Sequence, residues 1–171
     1  MKRKKIYTVI AISLLIVLYI AIFCFSAEDG ENSSDLSNKV TEIIMRIYYK
    51  MRGSGSGGGV VEGAVLPLEG LIRKLAHFLE YMCVGLLSYS LVVLWHKPAK
   101  MGSLAVTAQL LVSAGLDEFH QSFIPGRYAS MKDVMIDVAG GITGILLIAV
   151  GIATRKLWRR IRCSKNERFC G

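Results

Sequence analysis

Residues 117–137 read DEFHQSFIPGRYASMKDVMID, a polar stretch that lies between two long apolar segments. An ionisable side chain at the centre of a membrane helix costs about 3 kcal/mol on insertion scales, so a chain seldom carries several there without a use for them. A second polar stretch, residues 74–81 with the sequence KLAHFLEY, opens another apolar segment. These two stretches and the apolar segments around them predict both the fold and the place where function should be sought.

The apolar segments predict a membrane protein. The chain has 171 residues, of which 53% are hydrophobic, and a helix needs about 20 apolar residues to cross the hydrocarbon core. We predict an all-α fold, a four-helix transmembrane bundle that forms one domain over residues 1–171. The first apolar segment is longer than the roughly 7–15 residues of a signal-peptide core, so we expect an uncleaved anchor. The predicted spans cover residues 6–25, 71–94, 101–121 and 133–154.

The positive charges predict the topology. The net charge is +8, and most of the Lys and Arg residues precede the first span, lie between the second and third, or follow the fourth in a basic tail at residues 155–171. Lys and Arg concentrate on the cytoplasmic side of membranes, which places both termini in the cytoplasm of the cell. We therefore expect a multi-pass protein of the cell membrane with lipids as partners, and no nucleic-acid partner.

The loop at residues 26–70 is expected outside the cell. Its first half has apolar residues at helical spacing, which predicts an external amphipathic helix. The residues at 53–59, GSGSGGG, predict a flexible linker. Pro125 and Gly126 predict a tight turn between the third and fourth spans. The apolar stripe of the loop helix comprises Leu36, Val40, Ile43, Ile44, Ile47, Tyr48 and Met51.

With this topology, three polar clusters lie at the same outer level of the membrane. They are residues 74–80, residues 117–121, and the pair Asp133 and Asp137. Imidazole and carboxylate groups are suited to proton transfer, which makes His77, Glu80 and Asp117 candidate catalytic residues. Arg127 and Lys74 could hold a phosphate or carboxylate. The candidate substrate-binding residues are Lys74, Tyr81, Glu118, His120, Gln121, Arg127, Asp133 and Asp137.

Two other interpretations of the polar clusters stay open. The charged residues could pair with one another and only hold the helices in register, because buried charges must be paired. A divalent metal could bind to imidazole and carboxylate ligands on facing helices. The spacing of these ligands is not diagnostic, so a metal is not favoured and the cofactor stays unknown. The candidate metal ligands are His77, Glu80, Asp117 and His120.

Two glycines in the fourth span form a G-x-x-x-G pattern, Gly140 and Gly144, which lets a neighbouring helix approach closely. We interpret them as packing residues. No sequence motif identifies a nucleophile, and Ser122 and Ser130 are typical of loop serines that cap a helix or stabilise a turn.

The polar motifs resemble those of the VanZ-like family. The first is K-x-x-H-F-x-E-Y, formed by Lys74, His77, Phe78, Glu80 and Tyr81. The second is D-E-x-H-Q-x-F-x-P-G-R at residues 117–127, followed by D-x-x-x-D-x-x-G at Asp133, Asp137 and Gly140. The resemblance extends over nearly the whole chain except the glycine linker and the basic tail.

The resemblance implies a small integral membrane protein of Gram-positive bacteria. Founding members of the family are associated with resistance to glycopeptide antibiotics, particularly the lipid-bearing teicoplanin. Our first hypothesis is reduced susceptibility to such antibiotics through an outward-facing polar pocket, with a cell-envelope precursor or the lipoglycopeptide as partner. One alternative is a membrane-embedded hydrolase or transferase that acts on a lipid-linked envelope substrate. The other is a small transporter or accessory subunit.

Overall fold

Four long helices make up most of the structure, a computed structural model. It describes residues 2–27, 39–44, 46–47, 50–51, 62–95 and 99–167. For residues 62–69, 99 and 163–167 it describes the backbone and not the side chains. Residues 39–44, 46–47 and 50–51 are helical too, and no strand occurs in these ranges, which confirms the all-α prediction. The linker at 53–59 and the loop-helix residues Leu36 and Tyr48 lie outside the described residues. The long helices are α1 (Lys2–Ser26), α2 (Glu62–Leu94), α3 (Ala99–Gln121) and α4 (Met131–Glu167).

Each predicted span lies within one of these helices, but only three helices of the described chain are long and apolar enough to cross a membrane. These are α1, the Gly70–Leu94 part of α2 and the Met131–Arg162 part of α4. The number of spans in the predicted four-helix bundle is therefore not confirmed. The reason lies in α3, whose composition is diluted by residues such as Ser103, Thr107, Gln109 and Ser113.

Two polar residues of α3, Gln109 and Ser113, form hydrogen bonds to neighbouring helices. Gln109 Nε2 donates to the hydroxyl of Tyr19 on α1 at 3.0 Å and to Ser88 Oγ on α2 at 3.2 Å. Tyr19 also donates to Ser113 at 3.5 Å. The exposed stripe of the same helix is apolar, as a lipid-facing surface requires. It comprises Leu104, Leu111, Val112, Leu116 and Phe119.

Consecutive helices run antiparallel, and this brings particular ends together. Tyr7, near the start of α1, is hydrogen-bonded to Ser90, near the end of α2, at 2.7 Å. Ser26, the last residue of α1, is bonded to Asp117 near the end of α3. The ends of α1 and α3 and the beginnings of α2 and α4 therefore meet, and we call this region the polar end.

Glycines allow α2 and α4 to pack backbone against backbone. A Cβ atom on Gly85 would overlap the carbonyl oxygen of Gly141, and one on Gly140 would overlap that of Phe78. Gly144 lies in the same way against Met82. The structure thus confirms close packing at the G-x-x-x-G pattern, and the contact between α2 and α4 is the most extensive among the described helices. Around it lies a core that includes Tyr81, Val84, Leu110, Ala114 and Ile145.

Two helices extend beyond the predicted spans. Helix α2 begins at Glu62, inside the segment predicted as external loop, and α4 continues to Glu167 through most of the predicted basic tail. Hydropathy marks where a helix is apolar and not where it begins or ends. Residues 155–167 contain no Gly or Pro, and Arg, Lys and Leu are good helix formers, so the helix has no reason to stop at the membrane boundary.

The loop helix exposes its apolar stripe in the structure. Val40, Ile43, Ile44 and Ile47 are exposed, whereas Thr41 is buried. The pattern is that of a helix whose apolar side is available to lipid.

Candidate functional site

A tight turn connects α3 to the rest of the polar end. Arg127 N donates to the carbonyl oxygen of Ile124 at 3.2 Å, and Gly126 between them has a φ of 76°. Pro followed by a positive-φ Gly is the signature of a type II turn, which confirms the predicted turn. Ser130 then caps α4, because its Oγ accepts from Lys132 N at 3.2 Å and its carbonyl oxygen accepts from Asp133 N at 3.0 Å.

The turn directs Arg127 across the polar end to α1. Its Nη2 donates to the carbonyl oxygen of Phe25 at 3.1 Å, and the side chain is buried. The last carbonyl groups of a helix accept no hydrogen bond from within the helix, so a cationic donor is well placed there. Arg127 therefore ties the end of α1 to the turn that follows α3.

Asp117 is the centre of a buried hydrogen-bond network. Its Oδ2 accepts from Ser26 Oγ at 2.9 Å and from Gln121 Nε2 at 3.1 Å. Gln121 Nε2 also donates to Ser26 Oγ at 3.1 Å, which closes the triangle. All three residues are buried. The spacing of Asp117 and Gln121, four residues apart on α3, makes this possible.

Two further acids of the polar end have partners. Glu118 Oε2 accepts from the backbone N–H of Ser130 at 2.8 Å, which links α3 to the cap of α4. Asp133 accepts from Lys74 Nζ at 2.7 Å, with the two side chains 32% and 46% exposed. This exposure means that the Lys74–Asp133 pair contributes little to stability.

His77 lies where α2, α3 and α4 meet. Its Nδ1 is 3.6 Å from Glu80 Oε2, which is too long for a hydrogen bond. Ligand-type atoms of His77, Asp117 and Asp137 lie within 4.8 Å of one another. One imidazole and two carboxylates, each from a different helix, thus converge on one point, and these are the described residues that could hold a metal ion.

A cavity of about 270 Å³ opens at the polar end. It is lined by residues of α2, of the end of α3, of the α3–α4 turn and of α4. Cations and anions both line it, which suits a ligand with a charged group. The lining comprises Gly70, Arg73, Lys74, His77, Glu118, Gln121, Gly126, Arg127, Tyr128, Asp133, Ile136 and Asp137.

Most residues singled out from the sequence line this cavity, but four do not. Asp117 is bonded to Gln121 and lies close to His77, and both of these residues line the cavity. Glu80 lies beside His77. Tyr81, expected to bind substrate, is 1% exposed and belongs to the core cluster. His120, expected to bind substrate or a metal, is stacked on Phe23 with ring centroids 4.5 Å apart. The sequence pattern could not separate these positions because all lie on helices at one membrane level.

Two polar residues of the site, Ser26 and Arg73, were not among the candidate site residues. Ser26 holds Asp117, and Arg73 lines the cavity. The topology places the end of the first span at the same level as the polar clusters, and that signal could have indicated Ser26. Arg73 shares a helix face with His77 at a spacing of four residues, a pattern that indicates a partner for the acids as readily as a binding residue.

Comparison with known proteins agrees with the motifs. The family model described as VanZ/LLP1 matches residues 11–153, which is most of the chain and includes every residue of the polar end named above. No curated protein matches the chain, and no solved structure matches it.

Proposed function

The chain belongs to the VanZ/LLP1 family, and from this premise we propose that it lowers the susceptibility of a bacterial cell to lipid-bearing glycopeptide antibiotics such as teicoplanin. Three helices of the described chain that could cross a membrane support a location in the cell membrane. The resistance role follows from the resemblance of its motifs to the VanZ-like family.

The observation that carries the proposal is the cavity at the polar end. Lys74, His77 and Arg127 line it beside acidic groups, in a chain whose helices expose many large apolar side chains. In the topology with both termini in the cytoplasm, this cavity opens to the outer leaflet, where lipoglycopeptides and lipid-linked envelope precursors meet the membrane. Both molecules carry anionic groups on an apolar anchor, and this cavity offers cationic side chains at the edge of an apolar surface.

The test measures growth inhibition by teicoplanin and binding of labelled teicoplanin to susceptible Gram-positive cells. The cells express the chain, its Glu80→Gln variant or its Lys74→Gln variant, at matched levels in the membrane. Ser122→Ala is the control, because Ser122 is exposed at the same end and its hydroxyl donates to Phe119 O within its own turn. Protection by the wild type and the control, with loss in both variants, supports the proposal. Equal protection by all four chains excludes the cavity as the site, and protection by none excludes the resistance role.

A second function, enzymatic action on a lipid-linked envelope molecule, is favoured by one observation. His77, Glu80, Asp117 and Asp137 place an imidazole among carboxylates, a set that can move protons. Ser130 acts as a cap, and the Ser26 hydroxyl, which donates to the Asp117 carboxylate, is fully buried, so we expect water to attack in a hydrolysis. Mass spectra of envelope lipids distinguish the two functions, since only catalysis changes those lipids in expressing cells.

A further inference from the structure

We propose that His77, Asp117 and Asp137 form a binding site for a divalent transition metal of the zinc class. The side chains come from α2, α3 and α4, and their ligand atoms lie within 4.8 Å of one another. Zinc at about 2.1 Å from each ligand needs ligand atoms about 3.4 Å apart, which side-chain adjustment of about an ångström provides. The site does not depend on the resistance role, because metal content is a property of the purified protein.

The state of Asp137 points to a missing ligand. This carboxyl is 3% exposed and lines the cavity, yet no side chain or backbone N–H of the described residues forms a hydrogen bond or ion pair with it. A buried carboxylate without a partner is costly, and in proteins buried charges are paired or coordinate metals.

The surroundings of the three residues match those of known metal ligands. Ligating carboxylates are themselves hydrogen-bonded, and the Oδ2 atom of Asp117 is held by Ser26 and Gln121. A metal-bound imidazole usually has a carboxylate near its second nitrogen, and Glu80 lies beside the ring of His77. Because Asp137 and His77 both line the cavity, the metal would be reachable from it.

The donor set selects the class of metal. Mg²⁺ and Ca²⁺ prefer oxygen ligands throughout, whereas an imidazole nitrogen favours zinc and its neighbours in the first transition row. Two carboxylates neutralise the charge of a divalent ion, which removes the cost of two anions at membrane depth. Three protein ligands leave a coordination position free toward the cavity, so an anionic group such as a phosphate could bind to the metal there.

The experiment measures zinc bound to the full-length chain in lipid nanodiscs. All four cysteines are replaced by Ser, and the purification tag contains no histidine, so that zinc binds neither to thiolates nor to the tag. The four cysteines are Cys24, Cys83, Cys163 and Cys170. The protein is stripped with chelator and dialysed against low-micromolar free zinc with excess Mg²⁺. Metal per chain is measured by plasma mass spectrometry.

Two pairs of variants give matched comparisons. Asp137→Asn is compared with Asp133→Asn on the same helix, and His77→Gln with His120→Gln at the same membrane level. We expect one zinc per chain in the wild type and in both controls. Loss of a residue that hydrogen-bonds a metal ligand already lowers metal affinity about 10–100-fold, so Asp137→Asn and His77→Gln, which remove ligands, should weaken zinc binding at least about tenfold.

Three outcomes would overturn the proposal. They are less than stoichiometric zinc in the wild type, displacement of zinc by Mg²⁺, or equal zinc in the Asp137→Asn and Asp133→Asn chains. If a variant fails to fold, Co²⁺ is added to the thiol-free wild type instead. Visible d–d bands without thiolate charge transfer support the site, and their absence excludes it.

Discussion

Replacing Gly140 by Ala tests whether the α2–α4 contact sets the position of the site. The new Cβ would overlap the carbonyl oxygen of Phe78. Because that atom belongs to the backbone, no side chain can turn away, and the helices must separate by about 1 Å to restore an ordinary carbon–oxygen distance of about 3.3 Å.

The expected loss of stability follows from this separation. A gap of about 0.5–1 Å forfeits a quarter to a half of each dispersion contact across the interface. Overpacking of a core costs about 1–3 kcal/mol, and a contact with rigid backbone belongs at the upper end. Gly151→Ala on the same helix is the control, since its Cβ would meet nothing within 4 Å and Ala is favoured over Gly in helices by up to about 1 kcal/mol.

The assay is SDS titration of each chain from mixed micelles, followed by circular dichroism. We expect Gly140→Ala to have a free energy of unfolding about 2–3 kcal/mol below that of Gly151→Ala, because the gain in helix propensity is common to both variants and only the overpacking differs. Equal stability of the two variants would refute the close approach of α2 and α4. Because His77 and Asp137 lie on these same helices, the variant should also weaken any binding at the polar end.

Three other predictions can be tested with the same material. Ser26→Ala removes a buried donor to Asp117, so we expect a loss of about 1–3 kcal/mol in the free energy of unfolding; an unchanged value would contradict the network. A double-mutant cycle on Lys74 and Asp133 should give a coupling below about 1 kcal/mol, because both side chains are partly exposed; a larger coupling would mean that the pair is desolvated in the bilayer. Tyr128→Cys, in a chain without its native cysteines, should react with an impermeant maleimide in intact cells, since the side chain of Tyr128 is 90% exposed at the polar end. Labelling only after lysis would mean that the polar end faces the cytoplasm.

The sequence predicted the helices well because their signal is local. Apolar length and the Pro125–Gly126 turn are visible in the chain, and so is the glycine pattern of Gly140 and Gly144. Helix boundaries were less accurate, since hydropathy does not record where backbone hydrogen bonding stops. The third span stays a prediction, because the polar groups of α3 lower its hydropathy, although one of them, Gln109, bonds to Tyr19 and Ser88 on neighbouring helices.

The site could be predicted only to the level of a region. Charge asymmetry and span order bring the polar clusters to one membrane level, which is why the sequence indicated most of the residues that line the cavity. Which of them face one another depends on helix rotation, and a sequence does not fix that quantity. His120 and His77 lie at the same level, yet one is stacked on Phe23 and the other faces Asp117 and Asp137.

Four acids of the polar end differ in whether they have a hydrogen-bond partner. This difference tests the interpretation that the charged residues only hold the helices in register. Asp117 has a serine and a glutamine as donors, Glu118 has a backbone N–H, and Asp133 has a lysine. Asp137, the most buried of the four, has no such partner among the described residues. A network that served only to hold helices in register would pair its most buried charge first, since an unpaired one costs the most. Of these four acids of the described chain, only Asp137 therefore has no such partner, and it lines the cavity, where an ion or a ligand could supply one.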